Sequence, residues 1–139
     1  MANLKRKSDC PINFALELFG DRWTFLLVRD MMFKGKHYYG EFLQSEEKIA
    51  TNILADRLLL LEQSGIVLKN ADPAHGSKFI YTLSKKGIAL LPLLVEVIMW
   101  SSKYDENTAT DVQFLKRVKH DKEGVLKEIA SRLKKELSA

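Results

Sequence analysis

A mainly helical fold carrying one small β-hairpin is what this sequence predicts, and three observations predict it. The stretch from Ile49 to Gly65, IATNILADRLLLLEQSG, places Ile53, Leu54, Leu58 and Leu61 at helical spacing, with Asn52, Ala55, Asp56, Leu59 and Gln63 on the opposite face. A short polar-flanked helix, His37 to Gln44, precedes it across a turn. Two strand-like runs between Ile66 and Leu83 follow it, separated by the turn residues Asp72-Pro73-Ala74-His75-Gly76-Ser77. Helix, turn, helix, hairpin is the order of a winged helix-turn-helix. The fold class is therefore mainly α with a small β-hairpin wing, dimeric, and extended by extra helix at the C-terminus.

Taken in order, residues 1 to 8 are polar. Pro11 suits the first turn of a helix, which puts Cys10 at or beside its N-cap. Ile12, Ala15, Leu16 and Phe19 give this helix one apolar face, and Gly20 ends it. Asp21 can cap the next helix, Arg22 to Phe33, which is apolar nearly all round and so belongs at the centre. Lys34-Gly35-Lys36-His37 is a basic turn. Gly65 closes the Ile49–Gly65 helix, because a left-handed terminal residue is least costly as glycine. Ile66 to Lys69 and Phe79 to Leu83 are the strands.

Ser84 caps a long helix, Lys85 to about Tyr104, which Pro92 should bend or locally disturb. Its Leu90, Leu91, Leu94, Val95, Ile98 and Met99 exceed what one small wing can cover, so a second subunit is expected against it, the alternative being intramolecular packing onto the N-terminal helices. Residues 105 to 110, DENTAT, form a linker. From Asp111 to Leu137, Val112, Leu115, Val118, Val125, Leu126, Ile129 and Leu133 make amphipathic stripes, weakened between His120 and Gly124, so one helix or two shorter ones fit. The expected division is a domain over 1–104 and a helical extension over 105–139.

Composition narrows the function classes. In 139 residues, 46% are apolar and 29% charged, which suits one globular domain with a real core. The net charge of +4 permits nucleic-acid binding without demanding it. One cysteine makes no internal disulfide, which suits a cytoplasmic protein. Lys5-Arg6-Lys7 runs into Ser8-Asp9, not into an apolar leader. The longest apolar stretch, Ile88 to Trp100, is interrupted by Pro92 and Glu96 and is too short for a bilayer, so no membrane is expected. No catalytic constellation is found: His37, His75 and His120 are far apart, without metal-ligand spacing to Cys10 or a carboxylate, and no phosphate loop is present. Neither enzyme activity, cofactor nor metal is expected. Glu46-Glu47 beside Lys48 reads as a solvated loop.

The order of short motifs carries a resemblance. These are Cys10-Pro11, Ala15-Leu16, Gly20 with Arg22-Trp23-Thr24, Glu41-Phe42, Ile49, Arg57-Leu58, Leu61-Glu62, Gly65-Ile66, Tyr81-Thr82-Leu83, Gly87, Leu91-Pro92 and Trp100. As a set, over roughly residues 8 to 104, they resemble the HxlR-type family of bacterial winged-helix transcription regulators, relatives of the MarR group. The resemblance implies a homodimer formed through the Lys85–Tyr104 helix, with double-stranded DNA as partner. Some members of that family sense electrophiles or oxidants through a cysteine at the position of Cys10.

A recognition helix enters the major groove with its N-terminal residues. Asn52 can bond an adenine edge, and Thr51 can reach a phosphate or a thymine methyl. Asp56 repels phosphates but can accept from a cytosine amine. Ala55 lies on the same face, Arg57 on its flank as structural anchor, phosphate contact or base reader, and Leu59 is a methyl contact or packing. The family often carries serine where Ala50 stands, so a helix cap worth roughly 1 kcal/mol is missing unless Thr51 supplies it. Lys36, His37 and Lys48 frame the helix as backbone anchors. Lys69, His75, Ser77 and Lys78 give the wing its phosphate or minor-groove contacts.

At Cys10, a small buried hydrophobe and a redox sensor are both open readings. A helix N-terminus with Lys5, Arg6 and Lys7 favours the thiolate, against Asp9. The dimer interface is expected from Ile12, Leu16, Leu94, Ile98 and Met99. The reading is a DNA-binding transcriptional regulator on a (pseudo)palindromic operator. The alternatives are a thiol-redox or small-molecule sensor coupled to DNA binding, with an unknown effector held by Phe19, Trp23, Met99 and Trp100, and a winged-helix protein-interaction module that binds no DNA.

Overall fold

The computed structural model describes residues 6–138, so Lys5 of the basic run lies outside the described residues. The described chain forms two compact units that meet in sequence between Gly87 and Ile88, earlier than the expected boundary at 104.

The first unit contains α1 (Pro11–Phe19), α2 (Thr24–Phe33), α3 (Tyr39–Leu43), α4 (Thr51–Gln63), β1 (Val67–Asp72) and β2 (His75–Leu83). Helix α2 is central, as its composition predicts: Thr24, Leu27, Val28, Asp30, Met31 and Met32 are all buried. It begins two residues later than expected. The Asp21 carboxylate accepts the N–H groups of both Trp23 (2.8 Å) and Thr24 (3.0 Å), which holds residues 21–23 in a turn ahead of the helix.

Helix α4 buries Leu54, Leu58 and Leu61 and exposes Thr51, Asn52, Ala55, Asp56, Leu59 and Gln63, the two faces read from the sequence. Ala50 is its N-cap and makes no side-chain cap. Thr51 is the first helical residue and so does not fill that role. The C-terminus is closed by glycine chemistry. Gly65 takes φ +76°, letting its N–H reach the Glu62 carbonyl (3.0 Å) and the Ile66 N–H reach that of Leu61 (3.0 Å).

The hairpin is longer than the sequence pattern suggested. Strands β1 and β2 pair antiparallel from Val67↔Leu83 to Ala71↔Phe79, then shift register to pair Asp72 with His75. Only Pro73 and Ala74 remain as the connection. Asp72 explains the extension: its carboxylate accepts the Ala74 N–H (2.9 Å) and the Tyr38 hydroxyl (2.9 Å), so the turn is closed early and tied to the start of α3. His37 adds a further rung, because its carbonyl accepts the Tyr81 N–H (2.8 Å) and its Nδ1 lies 2.9 Å from the Tyr81 carbonyl oxygen.

The expected Lys85–Tyr104 helix is two helices, α5 (Lys85–Ile88) and α6 (Leu91–Tyr104). Pro92 does not bend a continuous helix. It lies in the first turn of α6, where a missing N–H costs nothing. As one run, Lys85–Tyr104 has the length and composition of a membrane span. The 14 residues of α6 rise only about 21 Å, short of a hydrocarbon core of about 30 Å.

The second unit holds α6, α7 (Val112–His120) and α8 (Lys122–Ser138). Asp111 caps α7 by accepting the Gln113 N–H (2.9 Å), and residues 105–110 connect α6 to α7 within this unit. Asp121 separates α7 from α8, which decides for two helices. Val118, Val125 and Leu133 are buried, and α8 is tied to α6 by an ion pair of Lys122 with Glu96. On α6, Leu91, Leu94 and Val95 are buried within the single chain. Leu94 therefore presents little surface to a partner, and Ile98 and Met99 are half-buried. The exposed apolar residues are Leu93 (42%), Val97 (43%), Trp100 (66%) and Tyr104 (66%). Their 4-3-4 spacing sets them on one stripe.

Gly87 tests the junction of hairpin and α5. A Cβ there would stand 2.3 Å from the Ile66 carbonyl oxygen and 3.1 Å from Leu83. Gly87→Ala is expected to destabilise the protein by about 1–3 kcal/mol through overpacking, read as a lowered urea midpoint with unchanged slope.

Candidate nucleic-acid interface

Two ion pairs hold α4, one from the turn before α2 to the helix itself and one from α2 to the turn that leads into it. In the first, Asp21 reaches across to α4. Its carboxylate takes the Arg57 Nε (2.9 Å) while still bonding the N–H groups that start α2. Burial acts to raise the Asp21 pKa, but hydrogen bonds from the Thr24 hydroxyl, the Trp23 N–H, Arg57 and the Thr24 N–H outweigh it and hold the group below its ordinary value. Arg57 thus ties α4 to the turn before α2. It also pairs with its neighbour Asp56, which offsets the charge that made Asp56 awkward beside phosphates.

The second pair is made at the turn between α3 and α4. Arg29 donates from Nη1 to Glu47 Oε2 (2.7 Å) and from Nη2 to Glu47 Oε1 (2.9 Å), a two-pronged pair. It also donates from Nε (3.0 Å) and Nη2 (2.7 Å) to Asp30 Oδ1. The other Asp30 oxygen accepts the Ser45 hydroxyl (2.6 Å), whose oxygen in turn accepts the Lys36 ammonium (2.7 Å). Asp30 is 1% exposed, so its charge is tolerable because the network satisfies it. Glu47 is pulled down to about 2, first by the Arg29 hydrogen bonds, and these raise Arg29 in turn. Glu47 is therefore not a solvated loop residue.

Two expected backbone anchors are consequently engaged inside the fold. Lys36 points at Ser45, and His37 bridges to Tyr81. Lys48 is exposed and holds φ +61°, a left-handed conformation that a lysine adopts at a cost of roughly 1–2 kcal/mol. It immediately precedes Ile49 and the start of α4, in the turn that Glu47 fastens.

The wing supplies exposed positive charge. Lys69, His75, Ser77 and Lys78 are all exposed. The Lys69 ammonium sits 4.3 Å from the Phe79 ring centre and 6.0 Å from that of Tyr81, and the Lys78 ammonium lies 6.0 Å from the Tyr38 ring centre. A groove of about 590 Å³ runs between α3 and β2, bordered by Tyr38, Tyr39, Gln44, Lys78 and Phe79 among others. Asp72 is held below its ordinary pKa by the Ala74 N–H and the Tyr38 hydroxyl, with His75 and Lys78 adding positive field. The Tyr38 hydroxyl is raised by the same bond.

Cys10 is exposed, which removes the reading as a buried hydrophobe. It is the N-cap of α1 by its backbone, with its carbonyl accepting the Phe14 N–H (3.0 Å). Arg6 is turned to Asp9 (3.9 Å) and lies over the Phe14 ring (5.8 Å). On α1, Ile12 (70%) and Leu16 (60%) are open to solvent. Of the four residues expected to hold an effector, Phe19 stacks on Phe25 at 4.9 Å and Trp100 lies against Tyr104 at 5.3 Å. Trp23 lines a void of only about 10 Å³, too small for an effector.

Sequence reasoning missed the Arg29–Glu47 and Tyr38–Asp72 pairs. A signal existed for the first: Arg29-Asp30 is a charged pair inside a helix that is otherwise apolar all round, and such charges need partners. Nothing local marked Tyr38 and Asp72, whose partnership spans the whole of α4.

Comparison with known proteins agrees with this arrangement. A family model described as HxlR-like helix-turn-helix matches residues 18–109. The HTH-type transcriptional regulator YodB of Bacillus subtilis (strain 168) is 35% identical over 98 residues, covering 70% of this chain and 87% of YodB. The solved reduced form of YodB matches with a TM-score of 0.59 at 31% identity, over 75% of this chain and 100% of that one. YodB has also been solved quinone-bound and diamide-treated. The redox regulator HypR in its reduced form matches with a TM-score of 0.60 at 28% identity, over 68% of this chain and 92% of that one.

Proposed function

The chain belongs to the HxlR-like helix-turn-helix family and is a DNA-binding transcriptional regulator, and from that membership we propose how it works. It is a cytoplasmic, non-enzymatic homodimer that places two copies of α4 in successive major grooves of a (pseudo)palindromic operator. Two-fold symmetry makes the operator palindromic, and insertion in the same groove face spaces the half-sites by one helical turn, about 34 Å, or a multiple of it. The observation that carries this is the exposed face of α4. Thr51, Asn52, Ala55 and Asp56 are all open to solvent while Arg57, between them and the core, is anchored to Asp21. Asn52 reads bases, and Lys48, Lys69, His75, Ser77 and Lys78 bind the DNA backbone. Lys36, His37 and Arg57 hold the frame.

Two surfaces are proposed for dimer contact, one in each unit: the Leu93–Val97–Trp100–Tyr104 stripe of α6, and Ile12 and Leu16 of α1. These are large apolar groups left open in the single chain, and such groups in a continuous stripe mark an association surface.

A second reading adds regulation, favoured by the exposure of Cys10 at the head of α1. We propose that oxidants or electrophiles act there, shift α1 in the dimer seam and alter DNA binding. With one cysteine in the chain, oxidation joins two Cys10 thiols of a dimer, or Cys10 and a small thiol. The balance is two thiols losing two protons and two electrons to the oxidant.

Three experiments test these readings. In anisotropy titrations at several salt concentrations, Asn52→Ala costs about 1–3 kcal/mol on a selected operator and little on a scrambled duplex. Lys78→Ala weakens both duplexes alike and lowers the salt slope by about one ion. Equal losses for Asn52→Ala would remove it as a base reader. In sedimentation, wild type is a dimer at micromolar concentration and Trp100→Asp shifts it toward monomer; a wild-type monomer would refute the seam. Diamide weakens operator binding by wild type and not by Cys10→Ser, and an identical response of the two would end the sensor reading.

A further inference from the structure

Arg29 and Glu47 lie outside the face of α4 that meets DNA, yet their pair fastens the turn from which α4 starts. We infer that the Arg29–Glu47 pair is a positioning device for sequence recognition, setting base selectivity and not overall affinity. The inference rests on the DNA-binding reading of α4.

The geometry supports it step by step. Arg29 is rooted in α2 beside the buried Asp30, and two of its nitrogens hold both Glu47 oxygens, at 2.7 and 2.9 Å. Ser45, two residues earlier in the same turn, is held by the other oxygen of Asp30 at 2.6 Å. The turn is thus gripped twice from one dipeptide of α2. Lys48 follows at once in a strained left-handed conformation, which persists only where its surroundings over-determine it. Ile49 is buried, and Ala50 then starts α4 with no side-chain cap. The first turn of α4 is held instead by the Tyr39 hydroxyl, which donates to the Thr51 carbonyl (2.7 Å), and by the grip on residues 45–47 that sets the chain's approach to it. Thr51 and Asn52 sit in that first turn.

A two-pronged contact to a base edge tolerates errors of only about 0.5 Å or 10–20°. Phosphate contacts made by flexible lysines tolerate more. Loosening the turn therefore degrades operator reading first.

The test compares wild type, Glu47→Ala and Glu47→Gln on a selected operator and a scrambled duplex at several salt concentrations. Val125→Ala in α8 serves as a destabilised control away from the turn. Glu47→Ala is expected to lose about tenfold on the operator and less than about twofold on the scrambled duplex, with unchanged salt slope. Glu47→Gln keeps one oxygen for the Arg29 fork and recovers most of the loss. Val125→Ala leaves the ratio of the two affinities unchanged. Removing a carboxylate without any positioning role would instead tighten both duplexes. That result, or equal losses on both, or a ratio changed as much by Val125→Ala, overturns the proposal while leaving DNA binding intact. Wild type that fails to bind either duplex overturns the DNA-binding reading and this proposal with it.

Discussion

The ionic hold on α4 and on the turn leading into it is the constraint on which the placement of its exposed face depends. Apolar packing through Leu54, Leu58 and Leu61 keeps α4 on the core, but a leucine face permits sliding and rotation at small cost. Hydrogen-bonded ion pairs do not, because they fail steeply with distance and angle. Asp21–Arg57 fixes the middle of α4, and Arg29–Glu47 fixes its approach. Asp30 is the root of the second. A carboxylate 1% exposed would be prohibitive alone, and it is stable here because Arg29 and Ser45 saturate it.

The same economy of parts joins hairpin and turn. Asp72 both closes the wing and holds Tyr38 at the head of α3. His37 both extends the sheet and precedes α3, and the Glu41 carboxylate of α3 reaches back to accept the N–H groups of His37 and Tyr38. The wing is therefore not a free flap. Its exposed lysines are carried by a frame fixed to the helix-turn-helix itself. The division that results is physical: the exposed face of α4 is carried on a helix held by ion pairs, and flexible ammonium groups on the wing supply charge.

In the second unit, the extension after residue 104 leaves the Leu93–Tyr104 stripe of α6 uncovered, although α7 and α8 bury Val118, Val125 and Leu133. An apolar stripe that survives beside two amphipathic helices of the same chain is the surface proposed for a second subunit.

The faces of α4, the Gly65 stop, the centrality of α2 and the hairpin were legible in the sequence, because periodicity and left-handed glycine positions are local properties. The set of ordered motifs carried the family. What the sequence could not show was which charges turn inward. Lys36, His37, Arg57 and Glu47 look like surface residues in any window of neighbours, and their partners lie at Ser45, Tyr81, Asp21 and Arg29. Nor could it show the stripe actually left open on α6, since Leu93 and Leu94 are alike in composition and differ only in which way the helix faces its own unit. Local pattern determines whether a helix forms and where it ends. Only tertiary packing decides which face is already covered and which ionisable groups have partners, because burial and pairing depend on residues far apart in the chain.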